Sequence, residues 1–121
     1  MQFGWLTLAM SPSPDEDGAR IDQIVAQACE AERLGFSDVW LTEHYFTGES
    51  VYCDSLMFAA ALAMKTEKVR IGFAVVQTPF HHPVRLAVQL VTHTRPGGHL
   101  ITKDAVSQGA AELDTMRGTP R

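Results

Sequence analysis

Three short apolar runs, set apart by two amphipathic stretches, decide what this chain can fold into. The runs are FGWLTLAM from Phe3, FSDVWLTEH from Phe36 and VRIGFAVVQTP from Val69. Their centres, near Thr7, Trp40 and Ala74, recur at the roughly 30-residue spacing of a βαβ unit. Between the first two, the apolar period changes. Ile21, Ile24, Val25, Ala28 and Cys29 fall on one helical stripe, with Leu34 near its end. Asp15, Glu16 and Asp17 precede that stripe, where negative charge suits the positive end of a helix dipole. Gly35 follows it as a natural stop. Between the second and third runs, DSLMFAAALAMKTEK is rich in good helix formers, with Asp54 or Ser55 as N-cap. After the third, Pro83 sits where the first turn of a helix tolerates proline.

The pattern predicts strands over Phe3–Ala9, Asp38–Leu41 and Val69–Val76, and helices over Ala19–Leu34, Ser55–Lys65 and Pro83–Val91. Strand and helix alternate, so the sheet is expected to be parallel, and its third strand buried on both faces. A closed (β/α)8 barrel needs eight such units over about 250 residues. The 121 residues here hold three, with a fourth strand at GHLIT. The expected class is therefore α/β, the N-terminal three to four βα units of an incomplete (β/α)8 TIM barrel with an irregular C-terminal tail. Residues 1–91 form the barrel part. Residues 92–121 read as a divergent tail of the kind that a frameshift or a truncation leaves, with one short helix over Ala105–Met116.

Bulk properties remove several function classes. A net charge of −4 offers no electrostatic footprint for nucleic acid or an anionic membrane. No run of about 18 apolar residues exists to span a bilayer. The N-terminus lacks the basic start of a signal peptide. Cys29 and Cys53 are too few for a disulfide framework. A cytoplasmic protein with reduced thiols is expected.

In parallel α/β folds, the ligand side lies at the carboxyl ends of the strands. Met10 and Ser11 follow the first strand, Glu43 and His44 the second, and Gln77, Thr78, Pro79, His81 and His82 the third. Imidazole titrates near neutrality and suits proton transfer. The plainer reading makes His44 a loop histidine, pairs Glu43 with a nearby cation, and gives His81 and His82 to a helix start. A metal site from Glu43, His44, His81 and His82 lacks a HExxH helix, and no metal is expected. No nucleotide-binding fingerprint, GxSxG elbow or catalytic cysteine context is present.

The joint pattern W-L-x-E-H-x-F, then R-I-G, then H-P-V-R, covering Met1 to about Leu90, resembles the bacterial luciferase-like flavin monooxygenases, a TIM-barrel family. The resemblance implies binding of reduced FMN, or of a deazaflavin coenzyme in some members, and oxidation of a small organic substrate with dioxygen. By the same resemblance His44 is the catalytic acid/base, Glu43 the neighbouring carboxylate of the cofactor site, and Ala74–Val75 the place of a non-proline cis peptide against the flavin ring. A flavin reductase is an implied partner, and self-association or a dimer is expected. The sequence TKDAVSQGAAELDTMRGTPR departs from the family pattern, and the expected outcome is an incomplete, inactive fragment. Two other functions stand beside this one: a non-catalytic truncated relative that associates through its open sheet edge and, ranked third, a metal-dependent barrel hydrolase.

Overall fold

Short β-branched and aromatic runs pair side by side in this chain. The structure, a computed structural model, describes residues 1–45, 50–52, 54–92 and 101–102. Strands β1 (Gly4–Thr7), β2 (Asp38–Leu41), β3 (Arg70–Phe73) and β4 (Ile101–Thr102) form one parallel sheet in that order. Helices α1 (Asp17–Arg33), α2 (Ser55–Ala63) and α3 (Pro83–Thr92) make the crossovers. The expected second strand is met residue for residue. The first and third are shorter than expected, because their apolar runs continue past the ladder into the strand-end loops. The fourth strand falls inside GHLIT, with Gly72 opposite Ile101. The expected helix over Ala105–Met116 and the rest of the tail lie outside the described residues.

Each helix boundary has a local cause. A 3-10 turn at Pro14–Glu16 leads into α1, so Asp17 is helical rather than preceding the helix. At the other end Gly35 takes φ +86°, and the Gly35 and Phe36 N–H groups bond back to the Glu32 and Ala31 carbonyls at 3.0 Å each. This is the double back-bond that a glycine past a helix end permits. It turns Leu34 outward, to 61% exposed, and Ala31 fills the core position instead. Asp54 caps α2, its carboxylate accepting from Met57 N–H at 2.9 Å. The last α2 carbonyls close onto Met64, Lys65 and Thr66, which ends the helix before Lys65.

The strand register sorts residues into two faces. Trp5, Val39 and Ile71 are level with one another, as are Thr7, Leu41 and Phe73. This face meets the helices: Val39, Leu41 and Phe73 join Ile24 and Ala28 of α1 and Leu56, Ala59 and Leu62 of α2 in one core. The opposite face carries Gly4, Asp38 and Arg70 on one level and Leu6, Trp40 and Gly72 on the next. Arg70 Nε binds Asp38 Oδ1 at 2.6 Å there. Burial raises the Asp38 carboxyl, but Arg70 and Ser37 outweigh it and hold the group below its ordinary value. Leu6 and Leu8 are each 51% exposed on that side. The expectation that the third strand is buried on both faces holds at Gly72 and Phe73 but not at Arg70 and Ile71, which are half-buried.

Candidate functional site

The three strand ends are stitched into one lip. The Thr42 hydroxyl donates to the Thr7 carbonyl at 3.2 Å, joining the ends of β1 and β2. Ala9, with φ +52°, receives the Val51 N–H at 3.0 Å, which brings the segment before α2 back to β1. Past β1, Met10 is exposed and its carbonyl accepts from Arg20 Nε at 2.9 Å. Beyond β3, Ala74 N–H continues the ladder to the Leu41 carbonyl at 2.8 Å. The next peptide, Ala74–Val75, is cis. Ala74 is exposed, Val75 half-buried and Val76 buried.

Glu43 is the hub of this lip. Its side chain is wholly buried, and both carboxylate oxygens are taken. Oε1 accepts from the Tyr45 hydroxyl and lies 3.0 Å from His81 Nε2. Oε2 accepts from the Gln77 N–H. The Glu43 carbonyl receives Gln77 Nε2 at 2.9 Å. Tyr45 also leans on Phe80, with ring centroids 5.1 Å apart and 60° between planes. A buried carboxylate is tolerable because donors replace the water it gave up. The strand end of β2 is thereby bound to the loop after β3.

Of the residues singled out in the sequence, Glu43, Gln77 and His81 come together. His44 sits next to them and is half-buried, while His82 is exposed. Among the described residues no three His, Cys, Asp or Glu side chains gather where they could hold a metal ion. Sequence reasoning did not foresee the Glu43–His81 contact, since the pair is 38 positions apart. The two signals that point to it are a polar residue at each of two neighbouring strand ends and the phenol at Tyr45.

Below the lip lies Tyr52, 6% exposed and stacked on Phe58 at 4.4 Å between centroids. Burial pushes its phenol above the ordinary value, with Thr42 acting in the opposite direction. Tyr52 Oη and Ser55 Oγ are buried side-chain atoms that find no hydrogen-bond partner of good geometry. Thr42 thus lies near enough to influence the phenol without completing a bond to it.

Comparisons with known proteins bear on the family and the fold. Residues 1–94 match the family described as luciferase-like monooxygenase. Limonene 1,2-monooxygenase of Rhodococcus erythropolis is 42% identical over 60 residues, 50% of this chain and 16% of that protein. The oxygenase component of flavin-dependent trigonelline monooxygenase from Acinetobacter baylyi is 29% identical over 97 residues, 80% of this chain and 24% of that protein. Monooxygenase RslO1 from Streptomyces bottropensis superposes with a TM-score of 0.76 at 30% identity, covering 84% of this chain and 32% of that one. The matched part is thus about a third or less of each of these proteins. The fold is that of the opening βα units of a (β/α)8 barrel.

Proposed function

Because the chain belongs to the luciferase-like monooxygenase family, we propose that its strand-end lip forms part of a pocket for reduced flavin, in a monooxygenase that oxidises a small organic substrate with dioxygen. One observation carries the reading. Ala74, small and exposed, follows β3 directly, and His44 lies three residues past the end of β2, the neighbouring strand. A flat aromatic cofactor needs a small, apolar backing with polar groups at its rim, and these residues fit that need. FMN is the favoured cofactor, a deazaflavin coenzyme the alternative. The Acinetobacter relative, named flavin-dependent and an oxygenase component, supports both the cofactor class and a separate reductase as partner.

Bound reduced flavin supplies the electrons with which dioxygen is activated. The chain's own contributions are simpler. Ala74 and Val75 back the ring. His44 holds or moves a proton at its imidazole, as general acid/base groups do. Glu43 spends both oxygens on protein donors, so it serves the site by holding the lip in place. Residues 1–91 are the part that contributes to this pocket, and residues 92–121 are a divergent tail. A cytoplasmic location suits the reading; no helix among the described residues is long and apolar enough to cross a membrane.

The test is an anaerobic titration with reduced FMN and, separately, with reduced deazaflavin coenzyme. It is run on the 121-residue chain and on residues 1–94 grafted onto the remainder of RslO1. Saturable binding of one cofactor by the graft supports the reading, and binding of neither defeats it. The short chain alone is expected to bind more weakly than the graft, because barrel enzymes commonly place phosphate-binding loops late in the chain.

A second reading has its own support. Among the described residues β1 is an edge strand, and Phe3, Leu6, Leu8 and Met10 are each between 51% and 57% exposed along it. Such an edge favours pairing with another chain. A non-catalytic relative that self-associates would show a concentration-dependent mass and no flavin binding in either protein.

A further inference from the structure

We propose that Glu43 fixes the tautomer of His81 and so makes it a second proton-accepting imidazole of the lip, beside His44. An ionised carboxylate only accepts hydrogen bonds. Glu43 Oε1 is shared by the Tyr45 hydroxyl and His81 Nε2, while Oε2 is occupied by the Gln77 N–H. His81 Nε2 must therefore carry the hydrogen. The other ring nitrogen, Nδ1, makes no hydrogen bond among the described residues. With Nε2 bonded to Glu43 and the side chain 12% exposed, Nδ1 is the ring nitrogen left for solvent or a ligand. A carboxylate that holds one ring nitrogen as donor leaves the other as a base of defined direction.

The imidazole is also held in place from behind. His81 N–H bonds to the Thr78 carbonyl at 3.1 Å, closing the 3-10 turn Thr78–Phe80, and Phe80 rests on Tyr45. A proton taken by Nδ1 from a ligand X–H group forms the N–H bond and leaves the bonding pair on X. The imidazolium charge is offset by the Glu43 carboxylate 3.0 Å away. The proton then leaves to solvent. That the ligand is the flavin or its substrate rests on the function proposed above. The tautomer does not.

The experiment reads ring nitrogens by NMR in the 15N-labelled 121-residue chain, with His81→Gln used to assign the signals. Expected is one tautomer, Nε2-protonated, favoured at least about tenfold, the ratio that a hydrogen bond to a charged group enforces. Glu43→Gln should collapse that preference toward an even mixture, since an amide can donate as well as accept. Tyr45→Phe should leave it unchanged. A protonated Nδ1 or a mixed tautomer in the parent overturns the proposal. So does loss of the preference in Tyr45→Phe, or its persistence in a folded Glu43→Gln. Reduced FMN is then added anaerobically, with its binding followed by absorbance. A shift of the His81 ring signals supports the role at the pocket, and flavin bound without any shift overturns it. If no flavin binds to the short chain, the function reading is decided by the graft titration above, while the tautomer still decides the pair.

Discussion

Single carboxylates carry much of the connectivity in this chain, and Glu32 shows it at the end opposite the lip. It accepts the N–H groups of Glu67, Lys68 and Val69 at 3.0, 2.5 and 2.8 Å. Burial acts upward on its carboxyl, but the bonds from Lys68, Val69 and Glu67 outweigh it and hold the group below its usual 4.5. A depressed folded value means that the stabilisation is complete above the unfolded pKa and is lost as pH falls through the folded one. Glu32→Gln is expected to cost about 1–2 kcal/mol at neutral pH, and the deficit should shrink below about pH 4.5. Urea unfolding of parent and variant at pH 7 and pH 3 checks both statements; an equal deficit at both pH values contradicts the linkage. At His44 the outcome belongs to activity. In the barrel graft, His44→Ala is expected to lower turnover by about 10²-fold with reduced-flavin affinity nearly unchanged, as single-turnover kinetics and titration would show. His44 could be singled out in the sequence because it follows an apolar run. The partners of Glu43 could not, because side-chain contacts across neighbouring strand ends have no fixed sequence spacing.

Elements were legible where a local rule decides them. The helices begin and end within a few residues of expectation because Gly35, Asp54 and Pro83 act on their immediate neighbours. Strand length was less legible, since a run of apolar residues marks burial and not pairing: Leu8, Val75 and Val76 continue the runs beyond the ladder. The α2 cap gives a direct test. Asp54→Ala removes the acceptor for Met57 N–H and should cost about 1 kcal/mol, visible as a lower thermal midpoint with the same folded far-UV spectrum. The sheet offers another. A Cβ on Gly4 would stand 2.7 Å from Trp40 Nε1, so Gly4→Ala must displace the indole. The expected result is an altered Trp40 emission, read against a Trp5→Phe background, and a loss of about 1–3 kcal/mol.

At the scale of the whole molecule the two sides of the sheet differ. The helix side is a continuous core, whereas the other side presents Leu6 and Leu8 half exposed beside the Asp38–Arg70 pair. Leu6→Lys should reduce self-association of the 121-residue chain with little loss of stability, because charge on an exposed edge opposes edge-to-edge pairing. Light scattering over a dilution series measures it, and unchanged mass would place any contact elsewhere. The parallel order of β1, β2 and β3 was legible from the alternation of runs. The open face was legible only in part: an incomplete parallel sheet leaves apolar faces unpaired, but the third strand read as covered on both sides. The two glutamates meet in a final consequence. Glu32 grips the chain at Val69, just before β3, and Glu43 grips it again at Gln77, just after. The segment between them is thus a fixed-length insert clamped at both ends by the preceding unit. Substitutions there can be absorbed side chain by side chain, but an inserted or deleted residue has no slack to enter. In a library of single-residue insertions, the stretch from Arg70 to Val76 should be the least permissive, while the loop around Pro12, where the Ser11 and Ser13 hydroxyls bond residues two or three positions on, should accept them more readily.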